Sequence, residues 1–179
     1  MLHTIVSYIR MAFPFLYLIG TWRFGDWKNW KKYYPTILFL ISVDFFISIL
    51  IYDYPLWTLE GSFIFPNHTI IDFMMTLVCF PQMVLIYLSR FPYKSEWVKQ
   101  LLYVTIWIIT YIIIEMIFMS AKLISYHHGW NMWWSFLVWI FMFMGLRLHH
   151  TKPLWAWLLC FVCTAFLIIY FHIPITKFR

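Results

Sequence analysis

Charge is what this sequence lacks most. Asp, Glu, Lys and Arg make up 11% of the chain, where a soluble domain carries about a quarter. With 64% hydrophobic residues there is too little polar surface to meet water on every side, so lipid must solvate much of the chain. Glycine is also scarce, and none of the 5 stands at phosphate-loop spacing, which removes nucleotide-binding loops. Gly-x-Ser-x-Gly, His-Glu-x-x-His and a Ser/His/Asp arrangement are absent, so the reading leans away from an enzyme and calls for no cofactor. The 3 cysteines, Cys79, Cys160 and Cys163, all lie in apolar runs. Cys160 and Cys163 have redox or zinc spacing but no second ligand pair, so they read as small buried apolar residues. No small-residue cleavage site follows Gly20, and the first apolar run reads as retained.

What is present is a basic, aromatic anchor beside long apolar runs. Between Thr21 and Pro35 stand Arg23, Lys28, Lys31 and Lys32 among Trp22, Trp27, Trp30, Tyr33 and Tyr34. Amphipathic rings and cations next to an apolar stretch mark a membrane–water interface. The apolar runs are 2–20, 36–52, 69–88, 100–119, 130–148 and 154–173. Each approaches the ~20 residues that cross ~30 Å of hydrocarbon at ~1.5 Å per residue. Backbone facing lipid must satisfy its own hydrogen bonds, so these runs are expected to be helices. The expectation is an all-α polytopic bundle, a single transmembrane domain over 1–179. It has six spans, or five where the interrupted first run lies along the surface. Pro35 is expected at the start of its helix, and the stretch from Asp53 to His68 reads as a loop.

Alternating sides, one face receives Arg23, Lys28, Lys31, Lys32, Arg90, Lys94, Lys99, Arg147 and Lys152; the other receives Lys122, Lys177 and Arg179. This positive-inside bias places the anchor in the cytoplasm and both termini outside, and tryptophans mark an aromatic belt at each boundary. The same placement makes anionic headgroups, not nucleic acid, the counterpart of the +6 net charge.

Ionisable groups inside a span are functional candidates because inserting one costs roughly 2.5–3.5 kcal/mol. Counted from Gly20 and Pro35, Arg10 and Asp44 fall at matched depth, suggesting an intramembrane ion pair. Near the other face, Asp72 and Glu115 lie at similar depth, with His68 one helical turn before Asp72. Tyr103, Trp107, Tyr111 and Glu115 recur every fourth residue opposite Asp72, Thr76 and Cys79. The expectation is an outward-facing acidic and aromatic cavity with Asp72 and Glu115 as its floor, Tyr111 on its wall and His68 and His128 at its mouth. The alternative is that these groups are helix glue. His127-His128 and His149-His150 fall on opposite sides, so no shared metal site is expected. Asn67 is placed to cap the third span and, with His68 and Thr69, matches a glycosylation sequon.

Several motifs carry a resemblance: DWKNWKKYYPTILF at Asp26–Phe39, YPLW at Tyr54–Trp57 and PNHT at Pro66–Thr69. IYLSRFP at Ile86–Pro92, HHGWN at His127–Asn131 and LRLHHTKPLWAW at Leu146–Trp157 add to it. On these the chain resembles an uncharacterised family of small multi-pass membrane proteins from endospore-forming Gram-positive bacteria. The resemblance implies a bacterial cytoplasmic or spore membrane and transfers no catalytic residue. The functional expectation is a small transporter-like or ligand-sensing module. The alternatives are a structural or accessory subunit acting through a membrane protein partner or a second copy of itself, and a lipid-modifying enzyme. Membrane lipids are expected partners in every case.

Overall fold

In the computed structural model the described residues are 14–61 and 68–174. Arg10, Asn67 and the C-terminal Lys177 and Arg179 lie outside them, so the Arg10–Asp44 pair, the Asn67 cap and the sequon do too. The architecture is a helical bundle. Helical residues 14–24 (α1) lead into a 3-10 turn, Trp27–Asn29, and then α2, Trp30–Leu50. The further helices are α3, His68–Ser89; α4, Trp97–Ser120; α5, Met132–Thr151; and α6, Pro153–Tyr170. Two short strands, β1 (Trp57–Leu59) and β2 (Ile124–Tyr126), complete the described elements. Among the described residues, five helical segments are long and apolar enough to cross a membrane, from Trp27–Leu50 to Pro153–Tyr170. The protein is a multi-pass membrane protein.

Helix α4 shows how the sequence produces this arrangement. Val104, Ile108, Tyr111, Glu115 and Phe118 are buried, a 4-3-4-3 spacing that keeps one stripe toward the bundle. Leu101, Leu102, Ile106, Ile109, Ile113, Met116 and Ile117 remain exposed. An apolar face of that extent would aggregate in water and is at home in lipid. Helix α6 goes further: of its residues only Ala156 and Thr164 are buried. Helix α2 packs along α3, α4 along α5, and α5 along both α6 and α2.

Two apolar clusters fill the bundle. The larger gathers Tyr33, Leu40, Met83, Tyr87, Leu88, Ile108, Tyr111, Phe143 and Leu146 toward the end that carries the anchor. Its polar atoms are matched internally: the Tyr87 hydroxyl donates to the Phe143 carbonyl at 2.9 Å, and the Tyr103 hydroxyl to the Tyr87 carbonyl at 2.9 Å. The smaller joins Leu50, Leu56, Trp130 and Phe171 at the opposite end.

Three features depart from the sequence reading. Helix α2 begins at Trp30, so Pro35 lies inside it rather than at its start. The missing Pro35 N–H therefore costs one intrahelical bond within the first two turns. Helix α3 contains a π turn over Met75–Cys79, with the Phe80 N–H reaching back to the Met75 carbonyl just before Pro81. Pro81 clashes with the carbonyl four residues earlier, and widening the preceding turn relieves that clash. Finally, the loop after α2 contributes β1, which pairs antiparallel with β2 in the register Trp57–Tyr126, Thr58–Ser125 and Leu59–Ile124. The Glu60 N–H to the Leu123 carbonyl and the His127 N–H to the Leu56 carbonyl, each 2.9 Å, extend the ladder. This ribbon forms a lid on the smaller cluster, against which Trp57 and Tyr126 pack, and Leu56 and Leu123 beside its strands are almost fully buried.

Candidate functional site

The costly groups fall into separate clusters. The first is centred on Asp44 and Asp72, which stand within electrostatic reach of each other on α2 and α3. Asp44 is fourteen residues beyond Trp30, and Thr76 is thirteen before Ser89, so both lie about 20 Å from the anchor end. At that depth the Thr76 hydroxyl contacts the Asp44 carboxylate and also lies 2.8 Å from the Asp72 carbonyl. Thr76 is the second residue of the π turn, so the irregular stretch of α3 is what presents this hydroxyl. One turn earlier, His68 Nε2 lies 3.4 Å from the Asp72 carboxylate, as the four-residue spacing requires. The His68 Nδ1 is buried without a partner. Among the described residues neither carboxylate forms an ion pair with Lys or Arg.

The second cluster is centred on Glu115, which is 9% exposed. Its Oε1 accepts from the Tyr126 hydroxyl at 2.7 Å and the Ser135 hydroxyl at 2.6 Å, and its Oε2 from the Trp139 indole at 2.6 Å. The Trp130 indole donates to Ser135 at 3.0 Å and extends the network. Burial raises the Tyr126 phenol well above its ordinary range, and its bond to Glu115 adds to this, so it stays a donor at ordinary pH. Glu115 thereby joins α4, α5 and the lid. No described hydrogen bond joins it to Asp72, so the two acids expected to form one floor have separate partners.

The other expected site residues are placed as follows. Tyr111 is buried, touches the Tyr17 hydroxyl of α1, and packs on Trp139 with ring centres 4.5 Å apart. His128 stands in a two-residue turn closed by the Trp130 N–H to the His127 carbonyl at 2.9 Å. His128 (φ 51°) and Gly129 (φ 82°) are both left-handed there, the signature of a type I′ turn, which Gly129 makes accessible. This aims the His128 ring at the Pro55 carbonyl, 2.8 Å away, and stacks it on Tyr54. His127 meets the Thr58 hydroxyl at 2.9 Å. His149 meets Thr36 at 3.1 Å at the other end of α5, and among the described residues no three His, Cys, Asp or Glu side chains are grouped to hold a metal. In the anchor, Trp27, Lys28, Trp30, Lys31, Lys32 and Tyr34 are exposed, whereas Tyr33 is buried and stacks on His150.

The sequence reading did not anticipate Tyr126, Ser135 and Trp139 as partners of Glu115. Ser135 and Trp139 are four residues apart and therefore share one face of α5, a pattern visible in the sequence. Tyr126 reaches Glu115 only through the strand pairing, which has no comparable mark. Comparison with protein-family models, curated proteins and solved structures finds no match.

Proposed function

We propose that this chain is a proton- or cation-binding membrane module of the transporter-like or sensing kind, resident in a bacterial cytoplasmic membrane with the anchor end in the cytoplasm. The observation that carries the reading is the Asp44–Thr76–Asp72 arrangement at the π turn. A threonine hydroxyl has one proton, and here it faces two acceptors, a carboxylate and a backbone carbonyl. With Asp44 ionised, the hydroxyl can donate to only one of the two. With a proton on Asp44, the acid donates to Thr76 and Thr76 donates to the Asp72 carbonyl, so the hydroxyl serves both partners at once. Carboxylates in a span beside an interrupted helix, here without a Lys or Arg partner among the described residues, are the groups membrane proteins use to bind protons and small cations.

Purified protein reconstituted in liposomes tests this by infrared difference spectroscopy across an acid step. The wild type gives a protonated-carboxyl band that Asp44→Asn removes and Thr76→Val shifts, while Thr76→Ser retains it. A band that persists unchanged in both Asp44→Asn and Asp72→Asn rejects the proposal.

One observation favours an accessory role as the second reading. Glu115 has all its described donors supplied by this chain, as befits a tie that holds helices together. Under that reading, acidification leaves the carboxyl bands unchanged, and a single membrane partner co-purifies in fixed proportion. The family resemblance and a place in spore-forming hosts belong to the same proposal and rest on the quoted motifs alone.

A further inference from the structure

At the anchor end, α2, α5 and the connection between α3 and α4 bring together cations that form no ion pair with an acid among the described residues. The Arg147 guanidinium carbon lies 4.9 Å from the Phe91 ring centre and 4.7 Å from that of Tyr93. The Lys32 ammonium lies 6.0 Å from the same Tyr93 ring. His150 packs against Tyr33 and Tyr93, within electrostatic reach of both Lys32 and Arg147. Among the described residues the one ion pair is His68–Asp72, in another part of the molecule. Asp26, the acid tied to Tyr33, directs its oxygens to the Asn29 amide and the Tyr33 hydroxyl. The two cations share the Tyr93 ring, whose π face carries only the partial negative charge of an aromatic quadrupole.

Two polar atoms in the same place have no partner. The Arg147 Nε and the Tyr93 hydroxyl are both buried and unbonded, although Arg147 Nη1 donates to Thr151 at 3.1 Å. Unmatched buried donors are rare, because each forfeits the hydrogen bonds it would make in water. Burial pushes the Tyr93 phenol up to about 12, with Arg147 opposing, so it remains a donor. Tyr93 lies outside the helices, between Ser89 and Trp97, where a ring can turn without breaking helical hydrogen bonds. The exposed Trp27, Trp30 and Tyr34 rings mark this end as the level of lipid headgroups.

We propose that Lys32, Arg147 and His150, gathered around Tyr93, bind the phosphate of an anionic phospholipid headgroup. The guanidinium fork and the phenol donate to phosphate oxygens, and Lys32 supplies the point charge. The site is independent of the Asp44–Thr76 arrangement.

Thermal unfolding of the full-length protein in a neutral detergent, titrated with short-chain phosphatidylglycerol, reads the binding. The midpoint should rise with phosphatidylglycerol and not with phosphatidylcholine or inorganic phosphate. Lys32→Gln, at an exposed position that leaves the core untouched, should weaken the apparent affinity about tenfold, as loss of one charge-assisted contact implies. Arg147→Lys should do the same by keeping the charge and losing the fork. The double variant Lys28→Gln/Lys31→Gln removes two exposed charges from the same turn and should leave the affinity within about twofold of wild type, since surface charges away from the site add little. Equal weakening in that control, or wild-type affinity in Lys32→Gln, overturns the site. An equal rise with inorganic phosphate overturns the lipid assignment and makes the ligand a free phosphate.

Discussion

Glu115 and Asp44 are both carboxylates inside spans, and their neighbours give them opposite characters. Three donors converge on Glu115, from Tyr126, Ser135 and Trp139. Glu115→Gln would set an amide N–H2 against at least one of those donors, and Glu115→Ala would leave all three without an acceptor. Either should lower stability by about 2 kcal/mol, between the modest value of hydrogen bonds within membranes and the larger one of bonds to charged groups. A shift in the unfolding midpoint by SDS titration measures it, and an unchanged midpoint for both variants rejects the structural role. Asp44→Asn should leave that midpoint close to wild type, because the Asn side chain can still meet Thr76. The sequence showed these acids as costly to insert but not which groups they would meet. Counting from Pro35 set Asp44 too near the anchor end, because α2 starts one and a half turns earlier at Trp30. Counted from Trp30, the depths of Asp44 and Thr76 agree.

Among the elements, the join between α1 and α2 depends on close approach. A Cβ built on Gly25 would lie 2.6 Å from the Thr21 carbonyl oxygen and 3.2 Å from a Leu85 methyl. That carbonyl also accepts the Gly25 N–H at 2.8 Å and the Trp27 indole at 2.8 Å, so it cannot easily retreat. Gly25→Ala should therefore destabilise the protein by about 1–3 kcal/mol, the ordinary cost of overpacking. Denaturation by SDS would show it, and a neutral result would mean that the turn yields freely. Of these elements, the long helices were legible because their apolar runs exceed a bilayer's thickness. The ribbon was not, since strands of three residues carry no readable alternation and pair across 67 positions of chain. Its presence is directly testable: with Cys79, Cys160 and Cys163 replaced by alanine, Thr58→Cys and Ser125→Cys should oxidise to a disulfide, as directly opposed strand positions allow. Failure to cross-link would remove the lid.

The bundle as a whole was readable in outline because lipid leaves so few solutions for an apolar backbone. Its division into a larger core at the anchor end and a smaller one under the lid was not readable, because both draw on the same kinds of aliphatic and aromatic side chain. The proposed orientation can be checked on the same cysteine-free background. Glu60→Cys beside β1 should react with an impermeant maleimide from outside intact cells, whereas Lys94→Cys between α3 and α4 should react only after permeabilisation. The reverse pattern would invert the molecule. The ribbon joins the α2–α3 connection to the α4–α5 connection, two loops far apart along the chain. It works as a clasp between two hairpins: a tug on either one is passed to the other, and neither can swing outward alone while the clasp stays shut.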